Sequence, residues 1–144
     1  MLSEIAKTRL QQLADGFKCV KDKDFDYAEW IMSDNYDDDA KLFQLLQAAY
    51  HGDEHTCGTT GCMIGYTPVI FPADWAVING YPRLRTEADS TVSYSIRVFF
   101  DLDNYEAEYL FLPKMCERNF TVAQAVKKLQ DFIDSDGLII DDID

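Results

Sequence analysis

Thr91-Val-Ser-Tyr-Ser-Ile-Arg-Val-Phe-Phe100 (TVSYSIRVFF) is the stretch on which the fold class turns. Val92, Tyr94, Ile96 and Val98 alternate along it, and period-two alternation in a run rich in β-branched and aromatic residues predicts, by propensity alone, a strand. The segments around it read differently. If residues 91–100 are a strand, the chain mixes sheet and helix; if they are a helix, almost nothing extended is left.

Toward the C-terminus, DNYEAEYLFLP predicts a helix with Asp103 as its cap and Glu106 three residues on, the spacing of a capping box. Thr121-Val-Ala-Gln124 repeats that signature, and Val122, Ala125, Val126, Leu129, Phe132 and Ile133 keep one apolar face as far as Gly137. Residues 138–144, LIIDDID, form an acidic tail, read as a surface strand or a frayed end. Toward the N-terminus, 81–90 reads as a polar loop and PADWAVING as a short helix stopped by Gly80. MIGYTPVIFP starts a helix if Thr59 or Thr60 caps it, with Pro68 limiting its regularity. A helix from Asp38 to Tyr50 follows from the stripe Leu42, Leu45, Leu46 and Ala49, with Asp37, Asp38 and Asp39 at its positive end and Gly52 beyond. FDYAEWIM, 25–32, is a strand or a single helical turn. Ile5, Ala6, Leu10, Leu13, Ala14 and Phe17 make a first helix, capped by Ser3 and stopped near Gly16.

Nineteen aromatic residues and an apolar fraction of 47% exclude a disordered chain, and the length suits one domain over 1–144. Four cysteines are too sparse for a disulfide framework. The N-terminal stretch lacks a signal-peptide core, and no apolar run reaches the roughly eighteen residues of a membrane span. A cytoplasmic setting with reduced thiols is the expectation. Twenty-six acidic residues against thirteen basic ones give a formal charge of −13. That balance argues against gripping nucleic acid or an acidic membrane directly, and favours a basic protein partner.

In this order the pieces resemble a family of small, mostly uncharacterised proteins of bacteriophages, prophages and bacteria. Its pattern runs F-D-M-x-x-W, C-G-T-x-x-C-x-x-G, L-G-L-x-x-x-x-A-x-x-L-F and T-P-x-x-A. Here those places hold Phe25-Asp26-Tyr27 with Trp30; Cys57-Gly58-Thr59 with Cys62 and Gly65; Phe100-Asp101-Leu102 with Ala107, Leu110 and Phe111; and Thr121-Val122 with Ala125. Asp101 stands in place of the glycine and Val122 in place of the proline, and the pattern skips 71–90. The cysteine block is its specific part. In similar proteins the stretch matching 91–100 looks helical, so the resemblance implies a mostly α, single compact helical domain, with room for a short strand pair and with 91–100 still open. It implies a mobile-element origin and no particular reaction.

The cysteine block, His55-Thr-Cys57-Gly-Thr-Thr-Gly-Cys62, carries the sharpest chemical alternative. His55, Cys57 and Cys62 have the donor types of a zinc site, but zinc takes four ligands, and the second close-spaced pair that makes such motifs specific is missing. A thiol activated at a helix N-terminus, with His55 as base, would lack an acidic orienter and oxyanion donors. Packing explains the same letters: Gly58 turns, Thr59 caps, Gly61 and Gly65 admit a close helix, and Cys62 is a small buried hydrophobe. DSDG at 134–137 has calcium-loop letters, yet the loop's first and twelfth places would fall on Phe132 and Ile143, which cannot ligate. Tyr105, Tyr109 and Phe111 read as core or as an interface face.

The functional expectation is therefore a non-enzymatic acidic interaction protein of phage type. It would bind and inhibit a host defence or nucleic-acid-handling protein, with nucleic-acid mimicry as the mechanism and no cofactor. The residues nominated for contact are Asp37, Asp38, Asp39, Asp101, Asp103, Glu106, Glu108, Asp134, Asp136, Asp141 and Asp142. The alternative is a zinc-binding or thiol-redox protein centred on His55, Cys57 and Cys62.

Overall fold

The computed structural model describes residues 2–27, 30–32, 38–52, 60–113 and 117–137. Along them run α1 (Glu4–Phe17), β1 (Ile31–Met32), α2 (Asp39–Tyr50), β2 (Thr60–Gly61), α3 (Thr67–Ile70), β3 (Trp75–Ile78), β4 (Tyr81–Leu84), α4 (Val92–Phe100), α5 (Asn104–Phe111) and α6 (Val122–Asp134). The fold is mostly α, with two small antiparallel strand pairs, β1 with β2 and β3 with β4.

TVSYSIRVFF is helix, and its propensity for strand is overruled by packing. Thr91 caps α4 by accepting the Tyr94 N–H at 3.1 Å. Val92, Ser95, Ile96, Phe99 and Phe100 are buried, a set with helical spacing. The alternating set splits: Val92 and Ile96 face the core, while Tyr94 and Val98 stay 39% and 47% exposed. A strand would send Phe99 and Phe100 to opposite faces. On the helix both meet Phe71 and Trp75, with ring centroids 4.9 Å apart for Phe71 and Phe99 and 5.7 Å for Trp75 and Phe99. The helix stops at Asp101, whose φ of 52° is left-handed, and the Leu102 N–H closes onto the Arg97 carbonyl at 3.1 Å. Asp101 thus ends the helix in the conformation that favours glycine, and aspartate is among the few other residues that adopt it readily.

Two expectations for the middle of the chain fail together. PADWAVING is not a helix and 81–90 is not merely a polar loop: β3 and β4 pair with Trp75 opposite Leu84 and Ile78 opposite Tyr81. Asn79 (φ 52°) and Gly80 (φ 82°) make the two-residue turn, and positive φ at both places is the signature of a type I′ hairpin. The Asp39 carboxylate holds that turn, accepting the N–H groups of Asn79 and Gly80 at 2.8 Å each. Leu84 N–H donates to Ser95 Oγ at 3.1 Å, which ties the hairpin to α4. Nor does a regular helix run through MIGYTPVIFP. Thr60 pairs as a strand residue opposite Met32 rather than capping, residues 64–66 form a tight turn, and α3 is a single turn with Pro68 near its start.

The core is centred on α1, which runs through Phe17, past Gly16, and buries Ala6, Leu10, Leu13, Ala14 and Phe17. It packs against α6, α4 and α3. Each fully buried leucine at the α1–α6 seam, such as Leu10 or Leu129, contributes about 1.5 to 3 kcal/mol. Ser3 caps α1, and Thr121 with Gln124 forms the capping box of α6. Val122 keeps an N–H, which donates to Asp22 Oδ1 at 2.8 Å. A proline there would leave that carboxylate without its donor.

Candidate functional site

The cysteine corner is a packing joint as far as it is described. Cys62 is 2% exposed, and its thiol lies 3.9 Å from the Trp30 carbonyl. Burial pushes the thiol up to about 12, which opposes the thiolate needed for nucleophilic or redox work near neutrality. A Cβ added at Gly65 would stand 1.8 Å from the Trp30 carbonyl oxygen, and one at Gly61 3.1 Å from the same atom. The glycines therefore admit the backbone at Trp30, which belongs to no helix. Asp26 N–H reaches the Gly61 carbonyl at 3.1 Å and Tyr66 Oη donates to the Asp24 carbonyl at 2.6 Å, so the corner is stitched from several sides. His55, Cys57, Gly58 and Thr59 lie outside the described residues. Among the described ones no three of His, Cys, Asp and Glu gather as metal ligands.

The nominated acids divide by what they already hold. Asp38 caps α2 through the Lys41 N–H at 2.7 Å, and Asp39 holds the hairpin turn. Asp103 and Glu106 make the capping box of α5 at 2.8 and 3.0 Å. Asp136, left-handed at φ 58° ahead of Gly137, accepts the Leu2 N–H at 3.1 Å and pairs with Lys7 at 3.2 Å. The Leu2 N–H first, and then Lys7, hold its carboxyl below the usual range. Asp101 ends α4 through its left-handed backbone, but among the described residues its exposed carboxylate and that of Glu108 make no ion pair, and Asp134 accepts from the Gln130 amide at 2.9 Å. Asp37, Asp141 and Asp142 fall outside the described residues. Glu106 and Glu108, two apart on α5, face different sides. Among the described residues the nominated carboxylates form no regular stripe.

What the fold does bring together is the start of α5 and the end of α6. A Cβ built on Gly137 would lie 3.4 Å from Glu106 Oε2 and 3.1 Å from Leu2, so Asp103, Glu106, Asp134 and Asp136 share one end of the molecule. Tyr105, 54% exposed, stands beside them on α5, and Phe111 is core.

Adjoining that end is a groove the sequence reading missed. A cavity of about 640 Å³ runs along α6, lined by Tyr109, Glu117, Phe120, Lys128 and Phe132 within, and by Gln124, Lys127, Asp131, Asp134 and Ser135 at the rim. On its floor Lys128 Nζ meets Glu117 Oε2 at 2.8 Å, with side chains only 9% and 12% exposed. The ammonium lies 4.5 Å from the centre of the Tyr109 ring and 3.4 Å from Tyr27 Oη. Tyr27 donates to the Leu110 carbonyl at 2.5 Å, and burial, then Glu117, drive its phenol well above the ordinary value. Tyr27 supplies the hydroxyl of this cluster. One signal was available: Lys128 follows Ala125 by three and precedes Phe132 by four, a charge on the buried stripe of α6.

No protein-family model, curated protein or solved structure matches this chain. Among the described residues no helix is long and apolar enough to cross a membrane.

Proposed function

We propose that this chain is a non-enzymatic acidic interaction protein of phage or mobile-element type, which binds and inhibits a host protein carrying a basic, nucleic-acid-handling surface. The observation that carries this reading is the shared acidic end, where carboxylates from α5 and α6 meet with one lysine, Lys7, paired among them. In a chain of charge −13 such an end steers a basic partner toward it, and that attraction weakens with salt. Because the acids gather as a cluster rather than a stripe, the reading requires occupation of the partner's nucleic-acid surface and not a copy of phosphate spacing. The buried Cys62 thiol has a packing role, while His55 and Cys57, the other residues of the metal or thiol alternative, lie outside the described residues.

Affinity capture from bacterial lysate tests it, with washes of rising salt and mass spectrometry of what is retained. The expected result is a near-stoichiometric basic partner that leaves as salt rises. It should be held less well by a double variant at that end, Asp134→Asn and Asp136→Asn, which leaves both capping boxes intact. An empty column, or equal retention by that variant, would sink the proposal.

A further inference from the structure

We propose that the groove along α6 receives an arginine side chain of the partner, an inference that rests on the partner being basic as argued above. The half-buried rings of Tyr109 and Phe120 flank the groove, and Phe132 backs it with its ring centroid 6.0 Å from that of Tyr109. Guanidinium is planar and weakly hydrated and stacks on aromatic faces, whereas ammonium is compact and strongly hydrated. At the rim Asp134 accepts one hydrogen bond, from Gln130, while a carboxylate offers about four acceptor sites. Asp131 accepts from Lys127 at 2.6 Å on the same rim, and Glu117 neutralises Lys128 on the floor. The groove therefore presents three carboxylates against two lysines, and through Asp134 it is continuous with the acidic end. A cation with a flat apolar face fits both features; an anion or a plain hydrocarbon fits one or neither. Arginine is also enriched among the anchors that dominate interfaces.

Two short peptides of equal length and charge, one carrying arginine and the other lysine, test this without the host partner. They are titrated into the whole protein at fixed ionic strength and followed by backbone amide NMR. The arginine peptide should bind about fivefold more tightly than the lysine peptide. Its shifts should concentrate at Phe120, Gln124 and Asp134, and the ratio should fall toward one in Phe120→Ala and in Asp134→Asn. The second variant is a surface change, so loss of fold cannot account for its result. Equal affinities with shifts spread over the acidic surface would overturn the groove while leaving the proposed function standing. An arginine preference unchanged in both variants would overturn it too, as would no binding of either peptide, an outcome independent of the lysate capture.

Discussion

The Cys62 corner and the α6 groove are opposites in what they advertise. The corner has the letters of chemistry, cysteine, threonine and glycine at motif spacing, and its described part uses them to bring backbone against backbone. The groove is made of commonplace residues, and it holds a nearly buried lysine and glutamate under aromatic rings. The difference teaches that a motif's residue types report crowding as readily as reactivity. A small residue is required wherever two chains touch, and a thiol that serves as a small hydrophobe loses the ionisation its chemistry needs.

The contrast is sharpened most by Gly65→Ala. The new methyl would land 1.8 Å from the Trp30 carbonyl oxygen, an atom fixed by the backbone. Relief requires moving the segment that pairs with β2, at a cost of about 3 kcal/mol or more. Urea unfolding reads it directly. A loss below about 1 kcal/mol would mean that the corner is not tightly packed and would reopen it as a site.

Next in size is Lys128→Ala, which takes the ammonium away from the nearly buried Glu117 carboxylate. Because the two side chains keep 9% and 12% exposure, the cost should be about 2 kcal/mol, below that of a fully sequestered charge. Adding Glu117→Gln to the lysine variant should recover a good part of it, since the stranded charge goes with the second change. Denaturation of both singles and the double gives the coupling. Simple additivity would show that the pair is only a bystander in the groove.

How much of this was legible depends on how local the cause is. The helices α1, α5 and α6 could be read because their caps and stripes lie within a few residues: Ser3, Asp103 with Glu106, and Thr121 with Gln124. The hairpin is equally local in its Asn79-Gly80 turn, but a short apolar run such as Trp75–Ile78 suits either structure by pattern, and a glycine after it serves a helix stop as well as a turn. For α4 the decisive partners are Phe71 and Trp75, so propensity pointed to strand and packing gave helix. The groove was the least legible. Tyr27, Tyr109, Glu117 and Lys128 meet across about a hundred residues of chain, and only the lysine's place on an apolar stripe hinted at it. Acids were easy to nominate and hard to rank, because capping and partner contact call for the same carboxylates.

That last ambiguity yields the smallest effect and can be resolved by pH. Asp136 is held below its ordinary 3.8 by the Leu2 N–H and by Lys7, so the folded state favours the carboxylate more than the unfolded state does. Its stabilisation is present above pH about 3.8 and fades as pH falls through the lowered folded value. Asp136→Asn keeps the left-handed backbone and an oxygen that can accept from Leu2, and removes only the charge. The variant should melt slightly below the parent at neutral pH, and the gap should close as pH falls through the lowered folded value. An offset that persists at the lower pH would mean that the amide perturbs the helix end by itself. No offset at either pH would release Asp136 from its structural role and move it into the set of carboxylates open to a partner.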